Sequence, residues 1–352
     1  MLSSERNTKA AVLYSTDKPL QIRDLALPSL SKGQVLVDVM YSGVCRSQLM
    51  EARGGRGVDP WLPHLLGHEG SGIVREIGPE VTRFRPGDAV ILGWIRGSGI
   101  EANGAKYKCS CTGEIINSGR VTTFSTSTVV SENRLIHIPE GIPMDVAVLF
   151  GCALPTGAGM VFNELRPCPG ESVAVVGLGG IGLSALLALA DFDCSNIIAI
   201  DISEERLNLA LKFGATVVFD ARIPDVVKKI IDSTGGGVDA CIESGGSVQS
   251  IELGFEILKD EGRLHFASHP PEGEKISLRP HDLIRGKKIF GSWGGHSNPV
   301  IDSERLAALY RNGKLPLEQL VTRRYPLELI NEALDDLEAG RVLRPLIDLR
   351  SN

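Results

Sequence analysis

The segment Gly177-Leu178-Gly179-Gly180-Ile181-Gly182 constrains the fold of this chain more than any other. A G-x-G-x-x-G pattern alone is weak in a chain with 40 glycines, because matches arise by chance. Its context gives it weight. It follows directly on the apolar run Ser172-Val-Ala-Val-Val176 and opens an apolar helical stretch over 183–190. In that setting Gly177 permits the tight turn, Gly179 the close approach of a pyrophosphate, and Gly182 close packing of helix on strand. Gly180 and Ile181 begin the helix, whose free N–H groups and dipole favour an anion. No Walker-type lysine follows, which argues against a nucleotide-hydrolysing loop.

The next apolar run, 196–200, leads into Asp201. A carboxylate there accepts hydrogen bonds from an adenosine ribose and repels a 2′-phosphate, favouring NAD over NADP. It could equally cap a helix over 203–213. Further strands are expected at 216–219, 240–242 and 262–267, with helical segments between them. Such alternation indicates βαβ units and a doubly wound parallel sheet, an α/β Rossmann domain over 154–293. Residues 1–153 read differently: short apolar runs at 10–14, 34–40, 72–77 and 89–92, punctuated by Gly and Pro. After 293 we expect helices at 302–312 and 326–338 and a closing strand at 346–349. Residues 1–153 and 294–352 thus form one β-rich domain into which the Rossmann domain is inserted.

Composition narrows the function classes. A length of 352 residues suits about two domains. A net charge of −6, with no basic cluster, argues against nucleic acid or anionic membrane as a partner. The polar N-terminus lacks a signal-peptide core, and the most apolar segment, 173–190, is interrupted by four glycines. Seven scattered cysteines do not form a secreted disulfide framework. The expectation is a reduced, cytoplasmic protein whose cysteines are core residues or ligands.

In the first part of the chain Gly43-Val-Cys45-Arg46-Ser47 precedes Gly67-His68-Glu69-Gly70, which runs on to Gly78 and to Pro86-Gly-Asp88. Together with the nucleotide domain, these residues resemble the zinc-type medium-chain dehydrogenases, the alcohol dehydrogenase superfamily, from about residue 9 to residue 349. The resemblance implies a GroES-like catalytic domain holding a zinc ion on Cys45, His68 and Cys152. Two thiolates and an imidazole with an open fourth position suit catalytic zinc. It also implies that Glu69 lies behind the metal, as an outer-sphere group or transient ligand, and that Ser47 passes on the substrate proton. Arg46 and Arg344 align with pyrophosphate contacts, Arg206 with a ribose contact, Thr156 and Ile181 with residues against the nicotinamide, and Trp94 with a pocket wall.

Three departures from the family pattern stand out. The lobe after Leu92 keeps only Cys109 and Cys111 of four closely spaced cysteines, so one zinc per chain is expected. Gln48 replaces the usual aspartate that orients the histidine ligand. Met50 replaces a histidine at the outer end of the proton relay. The implied activity is hydride transfer between a small primary or secondary alcohol, or its aldehyde or ketone, and NAD. Two alternatives are a polyol or sugar-alcohol dehydrogenase, whose branch typically has Glu at position 152, and a non-catalytic protein retaining the fold. By analogy, an edge strand near 289–292 pairs two subunits into a homodimer or homotetramer.

Overall fold

The computed structural model describes residues 6–350. The chain divides into two compact units: the stretch up to Cys152 together with that from Asn298 onward, and Ala153–Ser297.

The second unit is built on a six-stranded parallel sheet. Its spatial order is Val217–Asp220, Asn196–Asp201, Ser172–Val176, Val238–Glu243, Leu258–Phe266 and Lys288–Gly291. Numbered along the chain this is 3-2-1-4-5-6, the doubly wound order of dinucleotide-binding domains, with its switch point between the first and fourth strands. Every residue of Ser172–Val176 is buried, which explains an apolar run without alternation. Ala174, Val176, Ile198, Ile200, Cys241 and Leu264 form the core with Phe255 of the helix Val248–Glu256. Lys288–Gly291 lies at the sheet edge, next to Leu258–Phe266.

The first unit contains a closed five-stranded barrel: Asn7–Leu13, Gln21–Ala26, Lys106–Cys109, Ile115–Asn117 and His64–Leu65. A second sheet runs Leu135–His137, Ala89–Leu92, Gly70–Ile77, Gln34–Gly43, Arg344–Asp348 and Val321–Pro326, with Ser127–Ser131 also paired to Gln34–Gly43. Its core joins Val37, Val74, Phe84 and Leu92 to Tyr325, Ile330 and Leu334 of the C-terminal segment.

Two expectations are corrected here. The helix expected over 326–338 is Ile330–Glu338, because Pro326 ends the strand Val321–Pro326 and pairs with Asp348. The helix expected from 302 starts at Pro299, since the Asn298 side chain accepts from the amides of Val300 and Ile301 and supplies the cap. No single helix among the described residues is long and apolar enough to cross a membrane.

Candidate active site

Cys45 sits where the strand Gln34–Gly43 gives way to the helix Arg46–Ala52, with extended backbone at the cap position; its carbonyl accepts from the amides of Gln48 and Leu49. His68 and Glu69 lie between His64–Leu65 and Gly70–Ile77, and Cys152 ends the 3-10 turn Val148–Gly151. The tertiary fold brings these stretches together. One ligand atom from each of Cys45, His68 and Cys152 lies within 4.8 Å of the others, and His68 Nε2 is 3.1 Å from Cys152 Sγ. Tetrahedral zinc–sulfur and zinc–nitrogen bonds of about 2.3 and 2.0 Å set donors roughly 3.5–3.8 Å apart. The donor set and spacing therefore fit zinc.

Cys45 is the thiol that ionises more readily. Cys152 donates to its sulfur, and His68 and Arg344 stand beside it, which together outweigh burial. Cys152 is pushed up in turn by its bond to Cys45 and by burial. Two thiols so close and so buried call for a cation between them.

The opposite face of His68 is oriented by position 48. Gln48 Nε2 lies 2.5 Å from His68 Nδ1, and Ser47 Oγ lies 3.4 Å from the same atom. Gln48 Oε1 is buried and has no partner. Turning the amide over places Oε1 on an Nδ1–H donor, satisfies that oxygen and leaves the Nε2 lone pair facing the thiols. Glutamine thus does the orienting work without a charge.

Behind the triad Glu69 is fully buried. Its Oε1 pairs with the guanidinium of Arg344, itself buried, while Oε2 has no hydrogen-bond partner. Burial raises the Glu69 pKa although Arg344 opposes the shift. Burial alone would lower that of Arg344, yet Glu69 and the two thiols hold it above its usual value. A side chain at Gly43 would run into the Glu69 carboxylate, and one at Gly151 into the Leu92 carbonyl and the Glu69 backbone. These glycines let the acid approach the metal cage from behind. The family resemblance aligns Arg344 with a pyrophosphate contact; the structure adds Glu69 as its partner, and no local signal links residues 275 apart. Trp94 is half-buried with its amide 3.4 Å from the Gly151 carbonyl, one residue from Cys152.

In the second unit the glycine turn has the expected form. Gly177 adopts φ +83°, and a Cβ there would strike the backbone of Gly245. A Cβ on Gly182 would strike the Gly177 carbonyl, whereas around Gly179 there is open space. The helix Gly180–Leu189 starts at Gly179 without a side-chain cap, leaving its first amides for a ligand. Asp201 is buried and accepts from the amides of Leu178 at 2.6 Å and Ser203 at 2.9 Å. The cap of Glu204–Lys212 is Ser203, not Asp201, since the Ser203 hydroxyl accepts from the Arg206 amide. Asp201 therefore ties the glycine turn to the next βα junction. Gly157, beside Thr156, packs against the Ile181 carbonyl and Ser184, bringing Thr156 and Ile181 into one neighbourhood. Arg206 is half-buried, and Arg46, in the first unit, is exposed.

Among the described residues one other group could hold a metal: Glu51, Asp59 and His64. There His64 Nε2 lies 2.7 Å from Asp59 Oδ2, and Arg56 pairs with Glu51, so the group is already bonded within itself.

Comparison with known proteins places this geometry. Residues 31–140 match the alcohol dehydrogenase GroES-like domain model and residues 180–309 the zinc-binding dehydrogenase model. The chain is 31% identical to a probable S-(hydroxymethyl)glutathione dehydrogenase 1 of Schizosaccharomyces pombe, over 97% of each protein. It is 30% identical to an NDMA-dependent alcohol dehydrogenase of Amycolatopsis methanolica, over 97% of this chain and 98% of that one. The crystal structure of benzyl alcohol dehydrogenase from Acinetobacter calcoaceticus superposes with a TM-score of 0.88 at 31% identity, covering 98% of this chain and 99% of that one. A buried Cys–His–Cys cage in a GroES-like unit, a Rossmann unit and these likenesses lead to one conclusion: the chain belongs to the zinc-dependent medium-chain alcohol dehydrogenase superfamily and is an oxidoreductase.

Proposed function

We propose that the chain interconverts a small primary or secondary alcohol and its aldehyde or ketone, with NAD as the hydride partner and one zinc ion per chain. The observation that carries this reading is the convergence of Cys45, His68 and Cys152 on one point, with their orienting and backing residues in place. When bound, zinc supplies Lewis acidity toward the substrate oxygen and NAD supplies the ring that exchanges hydride.

The chain's own residues do the rest. Cys45, His68 and Cys152 hold the ion and leave its fourth position for substrate. Gln48 fixes the His68 ring. Ser47 takes the alcohol proton at Oγ; with Met50 in place of a relay histidine, the onward path leaves by another route. Glu69 stays behind the cage, its charge balanced by Arg344, which acts through that carboxylate. The uncapped amides at Gly180–Leu189 receive the pyrophosphate, Thr156 and Ile181 pack on the nicotinamide, and Arg46 and Arg206 are assigned to phosphate and ribose. Asp201 repels a 2′-phosphate and so selects NAD. The relatives named for S-(hydroxymethyl)glutathione and benzyl alcohol support an alcohol or hemithioacetal carbinol as substrate class. The edge strand Lys288–Gly291 is where a second copy would pair to give the homodimer or homotetramer.

Two measurements test this reading. Metal analysis is expected to give about one zinc per chain, with turnover lost on chelation and restored by zinc. A zinc content near zero, with no activity on adding zinc across a panel of alcohols followed by NADH absorbance, overturns it. Asp201→Asn is expected to cut the preference for NAD over NADP by about tenfold, equivalent to 1.4 kcal/mol. Asparagine removes the charge and keeps one acceptor oxygen, so either the Leu178 or the Ser203 amide loses its bond; an unchanged ratio would make Asp201 purely a turn anchor.

A further inference from the structure

A second close pair of thiols lies far from the metal cage in sequence, on the hairpin between Lys106–Cys109 and Ile115–Asn117. Cys109 Sγ is 3.3 Å from Cys111 Sγ. Both cysteines are free, with Cys109 buried and Cys111 exposed. The strand side of the pair is anchored: Cys109 is in register with Leu25, its amide donates to the Glu114 carbonyl, and Ser110 donates to Asp24. The turn side is exposed at Cys111. Residues 110–113 close the hairpin through the Gly113 amide and the Cys109 carbonyl, and Gly113 has φ +74°. One thiol is thus fixed and shielded while its neighbour rides on an exposed turn.

We propose that Cys109 and Cys111 form a redox-modifiable dithiol, which a small-molecule disulfide converts into an intramolecular disulfide by entry at Cys111. Cys111, whose thiol donates to Cys109, passes its proton through that neighbour to solvent, and its thiolate attacks one sulfur of the small disulfide. The S–S bond of that molecule breaks, and the departing thiolate takes up a proton. Cys109 thiolate then attacks Cys111 Sγ and expels the second small thiolate, which is protonated in turn. The two cysteines lose two electrons and two protons, and the small disulfide is reduced to two thiols.

The geometry assigns the order of events. The attacking sulfur must reach the small disulfide, and of the pair only Cys111 is open to solvent. The resolving thiol must be close and ionised. Thr112 donates to Cys109, and against the opposing effect of burial the Cys109 pKa falls to about 7. About half of Cys109 is therefore thiolate at neutral pH, near the optimum for attack. Closing from 3.3 Å to a bonded distance of about 2.05 Å draws in the turn, not the anchored strand. The cysteines of the metal cage are set apart from this chemistry by burial and by their metal.

The test uses the zinc-loaded enzyme incubated with glutathione disulfide, quenched in acid, alkylated and mapped by mass spectrometry. The peptide carrying Cys109 and Cys111 is expected to lose two hydrogens and to carry almost no glutathione, and dithiothreitol should reverse the change. Cys109→Ser is expected to trap glutathione on Cys111, at about tenfold or more above wild type, because the resolving thiol is gone. Cys111→Ser, an exposed change with no core to disturb, should abolish both products. Glutathione persisting on Cys111 in the wild-type enzyme as in Cys109→Ser would overturn the proposal. So would a peptide that remains fully reduced while other exposed cysteines react.

Discussion

Replacing Cys45 by alanine is expected to lower turnover by about 10³-fold or more while nucleotide binding is largely retained. The Lewis acid contributes several kcal/mol to the transition state, and each 1.36 kcal/mol is tenfold in rate. Loss of Cys45 removes one of the two thiolate donors and leaves only His68 and Cys152 to hold the ion. Zinc content should fall with activity. Most of the proposed nucleotide determinants, Gly177–Gly182 and Asp201, lie in the other unit, so NADH titration by fluorescence should give a dissociation constant within a few-fold of wild type. Full zinc occupancy and full turnover in this variant would remove Cys45 from the ligand set. Loss of nucleotide binding along with activity would instead indicate a general folding defect, which circular dichroism would register.

The second large effect concerns stability. Arg344→Met is expected to destabilise the first unit by about 3–5 kcal/mol, because it leaves the fully buried Glu69 carboxylate without its counter-charge. The midpoint of the urea transition measures the change. A Glu69→Gln/Arg344→Met double variant should recover most of the loss, since no isolated charge then remains. Additive single effects would show that the two residues do not depend on each other. The deficit also carries a pH signature. Burial already raises the Glu69 pKa, and removing Arg344 removes the main influence that opposes that rise. A carboxyl group whose folded-state pKa lies above its unfolded value is tolerated in its neutral form below the unfolded pKa. Its contribution is lost as pH climbs through the folded pKa. The Arg344→Met deficit should therefore be smallest in acid and largest at neutral pH and above.

Legibility differed between the two units for a physical reason. In the Rossmann unit the central strands Ser172–Val176, Asn196–Asp201 and Val238–Glu243 are buried almost throughout and helices alternate with strands along the sequence, so apolar runs and glycines mark the elements directly. In the first unit several elements are too short to carry a period. His64–Leu65 and Ile115–Asn117 close a barrel with two and three residues and leave no pattern to read. Pro326 ends a strand although the segment reads as the start of a helix, because pairing with Arg344–Asp348 is a long-range contact.

The trio Cys45, His68 and Cys152 was expected from the family resemblance of the motifs around each member, and the structure brings the three together. The glycine turn and Asp201 were identifiable from residue type and motif, because their steric and electrostatic requirements are local. What only the tertiary structure decided were the partners. It set Gln48 on His68 Nδ1, Ser203 rather than Asp201 at the helix cap, and Arg344 on Glu69 across the whole chain. It also showed that Cys109 and Cys111, two cysteines too few for a tetrahedral site, face each other across a turn. Residue type and spacing determine which chemistry is available. Which charge is balanced by which, and which thiols meet, depends on chain closure between distant segments, and local patterns carry no record of that.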